Sequence, residues 1–236
     1  MPDWLPNAAV AILAAVLAIT LHEAAHGYAA LSLGDDTAKR AGRISVNPLR
    51  HVDPMGTIIL PGILVIGQLL ATGQVQGIFG WAKPVPVDIW KLRHPRSGMV
   101  LVAAAGPAIN GVLAIAAAVL AHIVIWGQGA LGPEATGLLL RFCGLSILSN
   151  LVLGLFNLIP LPPLDGGRIM VGILPREPAM ALARVEPYGM MIVILALFIM
   201  PMAVPGWDPM GVFFRNVVAP AFDFVLWLAG HGGGGG

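Results

Sequence analysis

The sequence predicts an all-α polytopic membrane protein with about five to six transmembrane helices, a re-entrant segment and a small membrane-associated β-sheet. Of its 236 residues, 57% are hydrophobic and 11% are charged, whereas about 25% of the residues in a soluble domain are charged. The mean hydropathy is +0.84. Apolar stretches long enough to span a bilayer lie at 8–33, 98–126, 136–160, 187–204 and 211–230.

A sixth apolar stretch, residues 56–72, is shorter and is interrupted by one proline and two glycines. If it spans the membrane, the basic loops on either side of it, 34–55 and 77–97, lie on opposite sides. If it dips in and returns, both loops lie on the same side. Non-helical backbone at membrane depth must be covered by protein or line a wet cavity, so the re-entrant interpretation requires such cover.

Charge placement favours the re-entrant interpretation. Of the 13 lysines and arginines, only Arg141 and Arg215 then lie on the opposite side, which leaves 11 on one face. These are Lys39, Arg40, Arg43, Arg50, Lys83, Lys91, Arg93, Arg96, Arg168, Arg176 and Arg184. The positive-inside rule makes that face cytoplasmic and the N-terminus exoplasmic, in a multi-pass protein of the cell membrane.

Two short strands are predicted in the polar loops beside this stretch. "RISVN" at 43–47 and "KPVPVDI" at 83–89 alternate with period two and carry proline at positions compatible with a sheet edge. Such an edge could pair with an unwound substrate strand. His51 and His94 lie beside arginines in the same loops and are expected to be solvated or at the level of the lipid headgroups.

The first apolar stretch contains "HEAAH" at residues 22–26. On a helix, His22 and His26 are about 40° apart around the axis and about 6 Å apart along it, so both imidazoles can reach one cation. Glu23 lies about 100° from His22, where it suits a base for a metal-bound water rather than a ligand. Charged side chains cost about 2.5–3.5 kcal/mol each in a spanning helix, which favours a functional role over the alternative, histidines that hydrogen-bond between helices.

A metal ion held by two histidines needs a third protein ligand at similar depth. The topology places His122 and Cys143 toward the outer half, and Asp208 and Asp223 lack other polar residues nearby. Asp165 follows three prolines that must break the preceding helix, and two glycines after it permit a tight turn. With 56–72 re-entrant, Asp165 approaches the same side as the histidines. The alternative is that Asp165 only caps the short helix that follows it.

Together these motifs resemble the site-2 protease family of intramembrane zinc metalloproteases, in its compact bacterial and archaeal form. The resemblance covers roughly residues 8–175. It is carried by "HEAAH", by "GPAIN" at 106–110 and "NLIPLPPLDGG" at 157–167, and by "NPLRHVDPMGT" and "GWAKPVPVD" in the connecting region.

The resemblance implies one Zn²⁺ per chain, held by His22, His26 and Asp165, with Glu23 as the general base. It also implies that Asn157 helps to hold the substrate or the developing oxyanion. Asn110 in "GPAIN" has two interpretations of equal weight: it orients substrate, or it hydrogen-bonds to a neighbouring helix.

The chain differs from larger members of this family in its expected domain organisation. No PDZ-like domain interrupts the apolar core, and no pair of nucleotide-sensing CBS domains follows it. We expect a single integral membrane protease domain over residues 1–230, with a core at 8–175 and additional helices at 187–230. Residues 231–236 are expected to form a flexible glycine-rich tail.

The function expected from these observations is intramembrane zinc endopeptidase activity on peptide bonds within or near transmembrane segments, as in regulated intramembrane proteolysis. The expected partners are transmembrane protein substrates and the lipid bilayer. The net charge of +1 gives no reason to expect nucleic-acid binding, and the single Cys143 excludes an internal disulfide. The alternative function is an intramembrane metal-binding transporter or channel, and the sequence does not determine the oligomeric state.

Overall fold

A computed structural model describes residues 4–73 and 80–231, and every regular element in these ranges is helical. Five helices are long and apolar enough to cross a membrane: Leu5–Ser32, Pro95–Trp126, Pro133–Asn157, Glu186–Ala203 and Pro209–Leu228. The described part of the chain is therefore all-helical with five apolar helices, against the predicted five to six helices with a small sheet. Part of the glycine-rich tail, residues 232–236, lies outside the described residues.

In chain order, the elements are α1 (Trp4–Ser32), α2 (Thr37–Arg40), a 3₁₀ turn (Pro48–His51), a π-helical turn (Pro54–Ile59) continued by α3 (Leu60–Thr72), a 3₁₀ turn (Ile89–Lys91), α4 (Pro95–Trp126), α5 (Gln128–Leu131), α6 (Pro133–Asn157), α7 (Asp165–Ile173), α8 (Arg176–Ala183), α9 (Glu186–Ile194) with a π-helical turn (Leu195–Ile199) and α10 (Met200–Ala203), and α11 (Pro209–Phe213) with a π-helical turn (Phe214–Val218) and α12 (Ala219–Leu228).

The long helices α1, α4 and α6 pack against one another and form the centre of the molecule. Small residues line their contacts, among them three buried alanines of α4 at positions 114, 117 and 118. A Cβ built on Gly154 of α6 would lie 3.1 Å from Cβ of Asn110, so the backbones of α4 and α6 approach closely at this level. Small residues permit such close packing where lipid supplies no hydrophobic driving force between helices.

The last apolar helix, Pro209–Leu228, runs in the opposite direction to that predicted, in which its start lies on the side away from the basic loops. Its start lies beside the end of α6, where the rings of Phe213 and Phe156 are 6.0 Å apart. Its end lies beside the C-terminal part of α4, where His231 donates to the Ala118 carbonyl. The helix that carries Arg215 therefore begins at the same end of the bundle as the proline-rich loop after α6, and Arg215 is not on the side predicted for it.

The two ends of the segment that contains α3 meet. The Trp81 amide donates to the Gly56 carbonyl over 3.1 Å, and the Thr57 hydroxyl donates to the Trp81 carbonyl over 3.0 Å. The chain thus returns at residue 81 to the level at which it left at residue 56.

The predicted small β-sheet is wrong for the residues that the structure describes. Residues 43–47 bend into the 3₁₀ turn, and residues 80–88 are extended without a strand beside them. The amides of residues 81–88 that are bonded reach scattered acceptors, such as the carbonyls of His51 and Gly56 and the carboxylate of Glu23. Period-two alternation and proline led to the expectation of two strands, but a sheet needs a second strand in register, and these contacts take its place.

The chain between α6 and α7 is held tightly against the start of α7. A Cβ on Gly166 would clash with the Leu158 carbonyl oxygen, and one on Gly167 with the Pro162 nitrogen. At the other end of α7, the Arg96 guanidinium at the start of α4 donates to the carbonyls of Gly172 and Leu174. Both ends of α7 are therefore fixed, which places its first residue, Asp165, between α1 and α4.

Candidate metal centre

Three buried side chains from two helices converge on one point. His22 and His26 of α1 and Asp165 at the start of α7 are 4%, 8% and 6% exposed. The two imidazole Nε2 atoms are 3.1 Å apart, and Oδ2 of Asp165 is 3.2 Å from Nε2 of His22 and 3.3 Å from Nε2 of His26. The proposed ligand set is thus one compact group, and the helix-capping bond considered for Asp165 is not formed.

The outer ring nitrogens of both histidines are already engaged, which determines what the inner ones offer. Nδ1 of His26 lies 2.7 Å from the Val102 carbonyl, which can only accept, so this nitrogen carries the proton. Nδ1 of His22 lies 2.6 Å from Oδ1 of Asn110 and donates to it. In the neutral imidazoles, Nε2 of each ring is therefore a bare lone pair.

Two nitrogen lone pairs and a carboxylate oxygen within 3.3 Å of one another repel unless a cation lies between them. Oδ2 of Asp165 is also buried without a hydrogen-bond partner in the described structure. Tetrahedral zinc bound through nitrogen and oxygen at about 2.0–2.2 Å separates its ligands by about 3.4 Å, close to the three measured separations. The residues present therefore fit a zinc ion.

A relay of amides behind His22 connects the three central helices. Asn110 of α4 has no exposed surface, and its Nδ2 donates to Oδ1 of Asn150 on α6 over 2.7 Å. Nδ2 of Asn150 in turn donates to the Ser146 carbonyl over 2.8 Å. Every amide in the relay has a partner, so the proton on Nδ1 of His22 is held in place by α4 and α6 together.

Sequence reasoning missed Asn150. Its signal was present, because an asparagine within "ILSNLVLG" is as conspicuous in an apolar helix as the residues of "HEAAH". The same search of each apolar stretch for isolated polar side chains would have found it.

Gly106 leaves the space that the two imidazoles occupy. A Cβ at this position would lie 2.5 Å from Nε2 of His26 and 2.6 Å from Cε1 of His22. The helix continues through Gly106 and Pro107 from Pro95. The glycine of "GPAIN" therefore lies against the candidate ligands in mid-helix.

Glu23 lies on the wall of a large cavity of about 1460 Å³ that also contacts His22, His26 and Asp165. Most of the other lining side chains are apolar, contributed by α1, α6, the 80–87 segment and the chain from 190 to 214. Oε2 of Glu23 accepts a hydrogen bond from the Val85 amide over 3.0 Å. A carboxylate, the three candidate ligands and an apolar chamber thus share one space.

Asn157 and Asn110 lie in different surroundings. Asn157, the last residue of α6, lines the cavity, and its Nδ2 donates to the Leu153 carbonyl over 2.9 Å. Asn110 is enclosed between α1, α4 and α6 and contacts His22 and Asn150.

The loop over the cavity buries three polar side chains, and one of them, His51, was expected to be solvated or at the level of the lipid headgroups. His51 is 3% exposed and lines the cavity, and its Nε2 donates to the Ser45 carbonyl. Arg43 is 9% exposed, and Asp35 is fully buried. Burial alone raises the pKa of the Asp35 carboxyl, but hydrogen bonds from Thr37 and the Asp88 amide, with the Lys91 charge, outweigh it and hold that pKa below its usual value.

Comparison with known proteins identifies the family. The family model described as peptidase family M50 matches residues 10–200, most of the chain. The chain belongs to peptidase family M50. No solved structure matches this M50 chain.

The M50 chain has named relatives in bacteria. It is 42% identical over 192 residues to a Bacillus subtilis protein named "Putative zinc metalloprotease YwhC", a match that covers 81% of this chain and 80% of the relative. It is 30% identical to proteins named "Putative zinc metalloprotease Rip2" from Mycobacterium tuberculosis, over 88% of this chain and 71% of the relative, and from Mycolicibacterium smegmatis, over 77% and 64%. The resemblance to the site-2 protease family and the expected zinc metalloprotease class are confirmed at the level of the family.

Proposed function

We propose that the chain is an intramembrane zinc endopeptidase that hydrolyses peptide bonds within or near the transmembrane segments of other membrane proteins. The observation that carries this proposal is the convergence of His22, His26 and Asp165 beside the Glu23 carboxylate, at the wall of an apolar cavity. The names of the M50 relatives, which specify zinc metalloproteases, support the choice of metal.

The position of the site along α1 supports cleavage inside the membrane. His22 lies 18 residues after Trp4 and 10 residues before Ser32, which corresponds to about 27 Å and 15 Å of helix. Since the hydrocarbon core is about 30 Å thick, we propose that the ligands lie below the membrane surface, nearer the cytoplasmic side. Water reaches the ligands through the cavity. The protein lies in the cell membrane with an exoplasmic N-terminus, and the cleaved fragment is released toward the cytoplasm.

Each residue has a distinct part in the proposed reaction. His22, His26 and Asp165 hold the zinc, which supplies a Lewis acid for the substrate carbonyl and the attacking water. Glu23 takes a proton from that water and passes it to the nitrogen of the departing amine. Because the Asn157 amide has two N–H groups and donates one to Leu153, the other is available to the developing oxyanion.

For Asn110 we propose a positioning role. It lies behind His22, away from the cavity, and its Oδ1 fixes the ring orientation that points Nε2 at the metal. Of the two interpretations of Asn110, we thus favour the hydrogen bond to a neighbouring helix over the orientation of substrate.

The test uses purified protein and two labelled substrates, a single-span reporter with a fluorophore and quencher across its transmembrane segment, and casein as an unfolded chain. We expect about one zinc per chain, cleavage by the wild type, and zinc retention without cleavage in Glu23→Ala. His22→Ala should lose both. Glu134→Gln, an exposed acid at the start of α6, is the control that should leave cleavage unchanged.

Cleavage by Glu23→Ala at the wild-type rate would refute the assignment of the base. Zinc transport across proteoliposomes by wild-type protein that leaves both substrates intact would refute the protease and support the transporter or channel.

A further inference from the structure

Three polar residues in the loop between α1 and α3 are buried, although the sequence around them is typical of a solvated loop. Asp35, Arg43 and His51 are 0%, 9% and 3% exposed. Burial of a charge is costly unless hydrogen bonds compensate for it. The partners of these residues therefore show what the loop is built to hold.

Asp35 and Arg43 hold one extended segment, residues 80–88, through their side chains, and His51 holds it through its backbone carbonyl. Oδ2 of Asp35 accepts from the Asp88 amide over 2.7 Å. Nη2 of Arg43 donates to the Lys83 carbonyl over 2.5 Å, and the His51 carbonyl accepts from the Lys83 amide over 2.8 Å. The segment is thus fixed at two points, on either side of Val85.

Between those points the segment contacts the catalytic carboxylate. In an extended chain, alternate amides point to the same side, and the amides of Trp81, Lys83 and Val85 all bond toward the loop and α1. Pro84 and Pro86 have no amide hydrogen. The Val85 N–H is therefore the one donor that residues 84–86 can offer, and its acceptor is Oε2 of Glu23.

The surface of α1 is shaped to receive Val85. Glu23 and Gly27 are four residues apart and share a helix face. A Cβ on Gly27 would lie 3.4 Å from Cγ1 of Val85 and 3.0 Å from Cγ1 of Ile44. The absence of a side chain at Gly27 thus lets the segment lie close enough for its amide to reach Glu23.

We propose that residues 80–88 orient the general base and that Asp35 and Arg43 are positioning residues, which act on Glu23 through the Val85 amide. This inference rests on the proposed function, in which Glu23 is the base. A carboxylate on a flexible side chain has many orientations, and the hydrogen bond from the Val85 amide to Oε2 restricts them. Misplacement by about 1 Å can reduce the rate about 100-fold.

The low pKa of Asp35 is consistent with this role, because the ionised carboxylate accepts hydrogen bonds from the backbone amides of Thr37 and Asp88. A group with a depressed pKa stabilises the fold above its ordinary pKa, about 3.9, and this contribution is lost as the pH falls through the folded value. Asp35 therefore holds the segment throughout the neutral range.

The experiment compares each positioning residue with a matched neighbour, on the single-span reporter and on casein. Arg43→Gln is paired with Arg50→Gln, because Arg50 lies in the same loop and also donates to a backbone carbonyl, that of Gly42, but is exposed. Asp35→Asn is paired with Asp36→Asn, whose carboxylate pairs with Arg40 at the surface. Val85→Pro deletes the amide hydrogen together with the valine side chain, and Val85→Ala controls for the lost side chain.

We expect kcat to fall about 10- to 100-fold in Arg43→Gln, Asp35→Asn and Val85→Pro, with KM within about twofold and zinc content unchanged. Arg43→Lys, which keeps a positively charged N–H donor group, should recover part of the rate. The control variants should match the wild type. Hydrogen exchange at the Val85 amide should speed up in Arg43→Gln, Asp35→Asn and Glu23→Ala, since each removes a partner of the segment or of the amide itself.

Wild-type kcat in Arg43→Gln and Asp35→Asn, together with an inactive Glu23→Ala, would overturn this inference and leave the proposed function standing. Loss of zinc or of thermal stability in proportion to activity would also overturn it, because the residues would then support the fold alone. An active Glu23→Ala would instead refute the proposed function. If Val85→Pro fails to fold, Asp35→Asn still decides the question.

Discussion

The metal centre and the loop over it are built on different principles. At the centre, polar side chains lie on the four helices α1, α4, α6 and α7 and bond mainly to each other, as in the relay from His22 through Asn110 to Asn150. In the loop, side chains such as Asp35 and Arg43 bond to the backbone of an irregular segment. In the proposed enzyme, helices thus hold the zinc ligands and an irregular chain orients the base, so we expect the two parts of the site to respond differently to mutation.

Gly106 gives the sharpest test of the helical half, and we expect the largest effect there. Gly106→Ala places a Cβ 2.5 Å from Nε2 of His26, a distance at which the imidazole must move. Zinc affinity should fall about 100-fold or more, the upper end of what changes around metal ligands cause, and cleavage should be lost with it. Zinc content by atomic spectroscopy after dialysis measures the effect.

The control is Gly111→Ala on the same helix, where a Cβ meets nothing within 4 Å. It should bind zinc and cleave as the wild type does. If Gly106→Ala keeps its zinc, the centre tolerates displacement and the contrast with the loop disappears.

Asn150 tests the helical part of the site through Asn110, since it does not contact the candidate ligands itself. We expect an intermediate loss of zinc affinity. Asn150→Leu keeps the approximate shape but leaves Nδ2 of Asn110 without its partner, which costs about 1–3 kcal/mol of stability. Asn110 can then reorient, so zinc affinity should fall about 10-fold, less than in Asn110→Leu. Titration with a competing chelator measures the affinity.

Asn157→Leu is the matched control, because its amide donates to the Leu153 carbonyl of its own helix and not to the relay. It should retain zinc affinity. Equal affinities in Asn150→Leu and the wild type would show that Asn110 alone holds the His22 ring.

The same contrast explains which residues sequence reasoning could find. His22, Glu23, His26 and Asp165 are conspicuous because each interrupts an apolar stretch at a cost in the membrane. In a polar loop, a buried Arg43 looks like an exposed Arg50, and only the packing distinguishes them. Local patterns predicted a strand at residues 83–89, whereas the partners of this segment are side chains and isolated carbonyls, which a local pattern does not reveal.

Direction along the bundle was equally hidden. Length and hydropathy identified the helix that ends at Leu228, but not that it starts beside Phe156 at the end of α6. Simple alternation of spans placed Arg215 on the far side. The contact between Phe156 and Phe213 shows the direction of the last helix, which composition does not reveal.

Gly27 lies where the two halves meet, and we expect the smallest effect there. Gly27→Ala should gain about 1 kcal/mol from helix propensity, offset by a Cβ only 3.0 Å from Cγ1 of Ile44. Ile44 can yield by a few tenths of an ångström, so the free energy of unfolding should change little. Val85, at 3.4 Å from the same Cβ, is then pressed away from α1.

Because the Val85 amide holds Glu23, a small displacement should lower kcat about two- to fivefold without loss of zinc. Gly144→Ala on α6, where a Cβ meets open space, should be more stable than the wild type and fully active. If Gly27→Ala is fully active and exchange at the Val85 amide is unchanged, Glu23 does not depend on the position of the segment. A lower kcat with intact zinc would instead show that the rate of this enzyme depends on the contact between α1 and residues 80–88.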